Sequence, residues 1–235
     1  MSKGPAIILM SKVPLAGYTK TRLMDRLSGR ECAEFHSACL FDLAQTVEEV
    51  GCPTYLYYTG GDPGEFPIGK AISKLIKRPQ IGRDLGERMY NAALEAFSHH
   101  DRLIFIGSDL PNLSSNALNL AFTQLVLKDT VVGPAEDGGY YLLGLKQAHV
   151  ELFSGIEWGA ARVMTATLAK IKVLGLSTTL LETLRDIDTW DDIISFSELV
   201  LRAKQYRDLQ SYRFIKQILN QSKESILQGG RNNES

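Results

Sequence analysis

The sequence predicts a single α/β domain, and three observations lead to this fold class. Segments 6–10 (AIILM) and 103–106 (LIFI) are short, almost wholly apolar runs rich in β-forming residues. Such runs are typical of strands buried on both faces of a parallel sheet. A helical repeat of apolar residues over 30–50 lies between them and can cover one face of that sheet. We therefore expect the two runs to be neighbouring parallel strands in the interior of one sheet.

Composition indicates a globular protein and excludes several function classes. The 235 residues are 44% hydrophobic and 23% charged, with a net charge of −1, which gives no general attraction to nucleic acid or to an anionic membrane. No segment approaches the roughly 18 apolar residues of a membrane span, and the N-terminus has no signal-peptide pattern. Three cysteines and four scattered histidines argue against a disulfide framework and a zinc site. We expect a cytoplasmic protein with no membrane span and no nucleic-acid partner.

The remaining elements alternate between strand and helix patterns. Strands are predicted at 54–59, 130–134, 140–145 and about 178–182. Helices are predicted at 30–50, 70–77, 84 to about 98, 114–126, about 160–173 and about 195–226. The last of these is mixed in charge and is interpreted either as a packing extension or as the arm of a homodimer.

The loop after the first strand, residues 11–23 (SKVPLAGYTKTRL), concentrates positive charge. Gly17 helps to keep it from continuing as a regular element, and Lys12, Lys20 and Arg22 place three cations within eleven residues. Backbone N–H groups between a strand and a helix, together with Lys and Arg side chains, can hold phosphate oxygens. Neither the P-loop pattern nor the dinucleotide-binding glycine pattern is present. The alternative is a solvated basic turn, and both interpretations expect Lys20 and Arg22 to be exposed.

Carboxylates follow two of the predicted strands. Asp109 stands where segment 103–106 leaves the sheet, and open α/β sheets bind ligands at that edge. A short, hard carboxylate suits Mg²⁺ or Mn²⁺ bridging diphosphate oxygens. Asp186 and Asp188 alternate around Ile187, and we favour Asp188 as a second metal ligand because it lies nearer the turn into the next helix. The alternative is that Asp109 only begins a turn.

A third unusual stretch is residues 135–141 (AEDGGYY). The adjacent Gly138 and Gly139, beside Asp137 and two tyrosines, indicate backbone close to a ligand with aromatic walls. A plain hairpin turn predicts the same glycines, and the two interpretations are compatible. Asp137 is the candidate general base for an acceptor hydroxyl. Trp158 is interpreted as a partly buried core residue in preference to a ligand wall.

Five motifs between about residues 6 and 195 resemble the DUF2064 family of glycosyltransferase-like proteins. They are KxPxxGxxKTRL (12–23), DLGERM (84–89), GSDxP (107–111), GPAxDGGYYL (133–142) and DIDT (186–189). That family is related in fold to the nucleotide-diphospho-sugar transferases of the GT-A type. The first loop is also similar to that of the 2-phospholactate guanylyltransferases, which share the fold.

The resemblance implies a mixed, mostly parallel sheet flanked by helices, with a nucleotide over the first loop. Residues 1–195 would form the nucleotide-binding transferase domain, 196–227 a helical extension of it and 228–235 a disordered tail. Asp109 and Asp188 would hold Mg²⁺ or Mn²⁺, and Asp137 would be catalytic. The residues expected to contact the nucleotide are Lys12, Gly17, Lys20, Arg22, Gly138 and Gly139.

We expect an enzyme, a metal-dependent transferase that uses a nucleotide or nucleotide-sugar donor and an unidentified acceptor. One alternative is a nucleotidylyltransferase acting on a small phosphorylated acid, which would release pyrophosphate in place of a nucleoside diphosphate. The other is a non-catalytic nucleotide-binding protein, for which the C-terminal helical stretch would be the partner surface.

Overall fold

The computed structural model describes the backbone of residues 3–231 and the side chains of residues 3–221. Its strands are β1 (Gly4–Lys12), β2 (Thr54–Thr59), β3 (Ile76–Pro79), β4 (His100–Ile106), β5 (Thr130–Pro134), β6 (Tyr140–Leu145) and β7 (Thr178–Leu180). Its α-helices are α1 (Gly29–Val50), α2 (Lys70–Ser73), α3 (Leu85–Phe97), α4 (Ser115–Leu127), α5 (Val163–Val173), α6 (Trp190–Arg202) and α7 (Gln210–Arg231). Over this range, each helix is too short or too polar to cross a lipid bilayer.

The strands form one mixed, mostly parallel sheet in the order β3-β2-β1-β4-β6-β5-β7. β1 lies between β2 and β4 and is parallel to both, with Ile7 opposite Ile104 in the β4 register. The predicted pairing of segments 6–10 and 103–106 in the sheet interior is therefore confirmed. β6 runs antiparallel to both β4 and β5, and β7 is parallel to β5.

Helices cover both faces of the sheet. Because side chains on both faces of β1 are buried under helices, its sequence does not alternate between apolar and polar residues. Ile7 and Leu9 pack toward α1 and α4 on one face, while Ala6 and Ile8 pack toward α3 and α5 on the other. All four are fully buried. Burying a large aliphatic side chain stabilises a fold by about 1.5–3 kcal/mol, so both faces of β1 contribute to the core.

The segment predicted as a surface helix, residues 70–77, is corrected by the structure. Helix α2 ends at Ser73, and the chain then forms the edge strand β3, whose Ile76 lies opposite Tyr55 of β2. Leu75 is buried between the two elements. Because β3 has only four residues, its sequence carries no periodicity that would separate a strand from the end of a helix.

The C-terminal stretch is two helices, since the predicted continuous helix breaks between α6 and α7 around a single 3₁₀ turn. The buried Asp42 of α1 accepts hydrogen bonds from the backbone N–H groups of Gln210 (2.8 Å) and Ser211 (2.9 Å) at the start of α7. Phe214 packs against Phe35 with ring centroids 5.7 Å apart. The described side chains of α7 thus form a packing extension on α1, and the homodimer arm remains a prediction. Of the predicted tail, α7 continues to residue 231 and residues 232–235 lie outside the described range.

Candidate functional site

The carboxyl ends of β1, β2, β3 and β4 open into a cavity of about 470 Å³. This is the sheet edge at which open α/β folds bind ligands, because parallel strands bring their following loops together there. Predicted site residues from three distant parts of the chain meet in its lining, namely Lys12, Lys20, Arg22, Asp109 and Asp188. We call it the polar cavity.

Lys20 lies beneath the carboxylates of this cavity. Its backbone is left-handed (φ 50°), which is uncommon for a residue with a side chain and directs the following 3₁₀ turn. The Nζ atom pairs with Oδ1 of Asp109, lies 3.1 Å from Oδ1 of Asp188 and donates a hydrogen bond to the Ile187 carbonyl. Only 2% of the side chain is exposed. The expectation of an exposed loop cation is wrong for Lys20, because this ammonium neutralises two carboxylates brought to it by the fold.

The ion pair sets the charge state of its members. Burial disfavours both charged forms, but the opposite charges prevail, so the pKa of Lys20 is raised and the pKa of Asp109 is lowered. At Asp186, burial and then the charges of Asp109, Asp188 and Asp137 raise the carboxyl pKa to about 7. The structure thus brings Asp186 and Asp137 into the electrostatic field of the same acidic group.

Asp109 and Asp188 each retain a carboxylate oxygen for a further ligand. Lys20 contacts Oδ1 of both, and no hydrogen bond from residues 3–221 reaches Oδ2 of either. Their side chains are 40% and 37% exposed. Two hard oxygens suit Mg²⁺ or Mn²⁺, which take one or two protein carboxylates and complete their shell with water and substrate phosphate. The described residues contain no group of three or more acidic, His or Cys side chains placed to hold a metal, so water and phosphate oxygens would supply the remaining ligands.

Besides the buried Lys20, three cationic side chains line the polar cavity in the described part of the chain. Lys12 and Arg22 are exposed, as predicted for Arg22, and Arg88 is half-buried with its Nε donating to the Gly82 carbonyl at 3.1 Å. Gly17 does not line the cavity; its φ of 81° forms part of the loop turn. The arrangement can accept an anionic ligand beside the two carboxylates.

The hairpin between β5 and β6 places Asp137 at the same sheet edge, in the lining of a second and smaller cavity. Oδ1 of Asp137 accepts the Gly139 N–H at 2.8 Å, and Gly139 also lines that cavity. Gly138 has a φ of 91°, and a Cβ there would lie 2.0 Å from the Ala161 carbonyl oxygen. Close backbone packing therefore accounts for Gly138, which lies outside both cavity linings.

Two lining residues, His36 and Trp158, were not among the predicted site residues. His36 of α1 is buried, with Nε2 lying 3.1 Å from Ser11 Oγ and 3.2 Å from the Lys12 carbonyl. Burial lowers its pKa to about 4, against a smaller opposing effect of Asp109. Trp158 was interpreted as a core residue; it packs in the core and also lines the second cavity.

Comparison with protein families finds a match over half of the chain. A family model described as "Uncharacterized protein conserved in bacteria (DUF2064)" matches residues 42–160. No curated protein sequence matches the chain.

Solved structures share the fold. A crystal structure from Desulfovibrio desulfuricans G20, provisionally named a nucleotide-diphospho-sugar transferase, is 28% identical, with a TM-score of 0.86 over 94% of this chain and 98% of that one. Rv0371C from Mycobacterium tuberculosis H37Rv, in complex with manganese, is 13% identical (TM-score 0.52, 84% and 100% covered). A 4-diphosphocytidyl-2C-methyl-D-erythritol synthase from Anaerococcus prevotii DSM 20548 is 11% identical (TM-score 0.55, 85% and 99% covered). The last two similarities show a common fold only.

Proposed function

The chain belongs to the DUF2064 family, and we propose that it is a divalent-metal-dependent transferase that uses a nucleotide sugar as donor. One observation carries this proposal: a single cavity combines exposed cations with two partly exposed carboxylates, each with an oxygen that accepts no hydrogen bond from residues 3–221. A diphosphate with a bound Mg²⁺ or Mn²⁺ is complementary to both charges. The name of the 28% identical Desulfovibrio protein supports the same reaction class.

Different residues of the polar cavity would bind the phosphates and the metal ion of the donor. Arg22 and Lys12 would contact the phosphates, where a guanidinium binds two oxygens at once and an ammonium acts as a point charge. Asp109 and Asp188 would hold Mg²⁺ or Mn²⁺ through their Oδ2 atoms, with Lys20 holding both carboxylates in place. The ion, when bound, would neutralise charge that develops on the leaving diphosphate.

Asp137 would act on the acceptor. In the transfer, the acceptor oxygen forms a bond to the sugar C1, the C1–O bond to the diphosphate breaks and its electron pair leaves with the nucleoside diphosphate. The acceptor proton passes to the Asp137 carboxylate. Its Oδ1 is held by the Gly139 N–H, so the carboxylate has a fixed orientation at the cavity rim.

The domain boundaries follow the same proposal. We assign residues 1–195 to the transferase domain and residues 196–227 to its helical extension, since Asp188 belongs to the site and α7 packs on α1. The cytoplasmic location remains a prediction; the predicted disorder is wrong for residues 228–231, which belong to α7.

A product assay tests the proposed function. The purified protein would first be screened by thermal shift against nucleotides and nucleotide sugars, with and without Mn²⁺, and then assayed with stabilising donors and mixed acceptors. Metal-dependent release of a nucleoside diphosphate supports glycosyl transfer. Release of pyrophosphate from a nucleoside triphosphate would establish nucleotidylyl transfer in its place, and binding without turnover would identify a non-catalytic nucleotide-binding protein.

A further inference from the structure

The second cavity, of about 200 Å³, adjoins the polar cavity and differs from it in chemistry. Met10, Leu85 and Gly107 line both cavities, so the two are continuous. The walls that belong to the second cavity alone are mainly apolar and aromatic, and the main contributors are Met89, Phe105, Tyr140, Tyr141, Trp158 and Val163. We call it the aromatic cavity.

A glycine holds one of the aromatic walls in place. A Cβ on Gly86 would lie 2.7 Å from Nε1 of Trp158 and 2.0 Å from the Phe153 carbonyl oxygen. The Trp158 ring is therefore fixed by backbone contact before any ligand arrives, as expected of a preformed small-molecule site. The Tyr141 ring packs on Gly133 in the core on the other face of the sheet.

The charges that line the aromatic cavity have a single sign. Among the described residues, no Lys or Arg lines it, and its one ionisable carboxylate is Asp137. An anionic group bound here would be repelled and would find no cation, whereas a hydroxyl could donate to Asp137.

From these observations we propose that the aromatic cavity binds the acceptor, and that this acceptor is an uncharged, hydroxyl-bearing compound with one apolar face, about the size of a single sugar. The cavity volume is below the range of roughly 300–1,000 Å³ that drug-sized ligands occupy, which sets the size. Aromatic rings pack against the C–H face of such a compound, while its hydroxyl meets Asp137. The inference rests on the proposed function and narrows its substrate class, because a phosphorylated acid does not fit this lining.

Binding of small probes tests the inference without requiring turnover. Saturation-transfer NMR would measure methyl glucoside, glycerol and cyclohexanol, and separately the anionic glucose 6-phosphate, with UDP and the diamagnetic Mg²⁺ present to fill the polar cavity. We expect methyl glucoside to bind roughly tenfold more tightly than glucose 6-phosphate, since like charges oppose the latter. In Trp158→Ala the neutral signal should be lost, with folding checked by the melting temperature.

A pair of variants that differ in charge at one wall residue locates the binding site. This pair can be used even if Trp158→Ala does not fold. Ala160 is partly exposed in the lining, so Ala160→Lys should increase glucose 6-phosphate binding, while the uncharged Ala160→Gln should not. The inference is overturned if no neutral probe binds, if glucose 6-phosphate binds the wild type as well as methyl glucoside, or if the two Ala160 variants behave alike. UDP and Mg²⁺ affinity, measured by calorimetry on the same samples, separately reports failure of the proposed function.

Discussion

Lys20 forms an ion pair with Asp109 from the buried side of the carboxylate: the lysine side chain is 2% exposed, while the aspartate side chain is 40% exposed. The same ammonium lies 3.1 Å from Asp188. A buried cation thus connects two carboxylates that the sequence separates widely and leaves their outer surfaces accessible. Its role in the fold is electrostatic, and its loss would leave two acidic groups without their main compensating charge.

Lys20→Met is expected to destabilise the protein by about 3–5 kcal/mol, because removing one member of a buried ion pair leaves the other charges uncompensated. Denaturant unfolding measures this change. Adding Asp109→Asn to the variant should recover part of the lost stability, since it removes one of the unpaired charges. If the loss in the double variant equals the sum of the losses in Lys20→Met and Asp109→Asn measured alone, Asp109 and Lys20 are not coupled.

Asp109→Asn and Asp188→Asn should each abolish the Mn²⁺-dependent part of nucleotide binding, because an amide is a much weaker ligand for a hard cation than a carboxylate. Calorimetric titration with a nucleoside diphosphate, with and without Mn²⁺, is the measurement. Asp191→Asn is the control, since this exposed carboxylate in the first turn of α6 does not line the cavity. Retention of the wild-type Mn²⁺ dependence in Asp109→Asn would reject the proposed metal site.

Arg22→Ala should weaken nucleotide binding roughly tenfold or more and leave stability nearly unchanged. A charge-assisted hydrogen bond is worth about 1.5–3 kcal/mol, whereas substitution of an exposed side chain usually changes stability by less than about 0.5 kcal/mol. Arg26→Ala provides the comparison, because Arg26 is exposed and outside the cavity lining. The affinity difference should shrink at high salt. Equal nucleotide affinities in Arg22→Ala and Arg26→Ala would support the alternative that the loop is a solvated basic turn.

Asp137→Asn should lower the transfer rate by about 10²–10⁴-fold, the usual contribution of a general base. Nucleotide affinity should be unchanged, because Asp137 does not line the polar cavity. The asparagine keeps an oxygen that can accept the Gly139 N–H, so the turn is preserved. Donor consumption in single-turnover experiments measures the rate, with Glu136→Gln as the control. Full activity in Asp137→Asn would require a different base.

His36 predicts a loss of stability in acid. Burial first, and then the positive charge of Lys20, lower its folded pKa to about 4, while Asp109 opposes this. The unfolded chain therefore takes up the proton first, so this contribution is complete above about pH 6.5 and is lost as the pH falls toward 4. The shift corresponds to about 3 kcal/mol.

Unfolding free energies of wild type and His36→Gln, measured between pH 8 and 4, test this prediction. The wild-type advantage over the variant should decrease by about 2–3 kcal/mol across that interval. His99→Gln, on the surface, is the matched histidine control. A constant difference between wild type and His36→Gln would mean that the buried ring is not kept neutral.

The parts of the fold that the sequence predicted are those with burial on two faces. β1 and β4 carry uninterrupted apolar runs because helices pack on both sides of them. The edge strand β3 has one neighbour and no buried residue, so Ile76 and Lys77 at its start were predicted as the end of a helix. The local sequence pattern is enough to predict β1 and β4, whereas β3 forms a strand only because of its tertiary contact with β2.

The candidate site divides in the same way. The cationic loop, Asp109 and the hairpin at Asp137 are each visible in a contiguous stretch, and the fold places all three at one sheet edge. The inward position of Lys20 could not be read from its loop, because it depends on Asp188, 168 residues further along the chain. Likewise, the pattern around Gly138 could not separate a ligand contact from close packing against Ala161.

The single reversed strand, β6, separates the two cavities along the chain. Up to residue 109 the chain supplies all of the polar cavity except Asp188, and after β5 the hairpin and the segment before α5 supply Asp137, both tyrosines and Trp158. Exchange of residues 137–163 between relatives would therefore replace most of the aromatic wall while every phosphate-facing cation stayed in place. Under the proposed function, this exchange would change the acceptor through one contiguous block and leave the donor site unchanged.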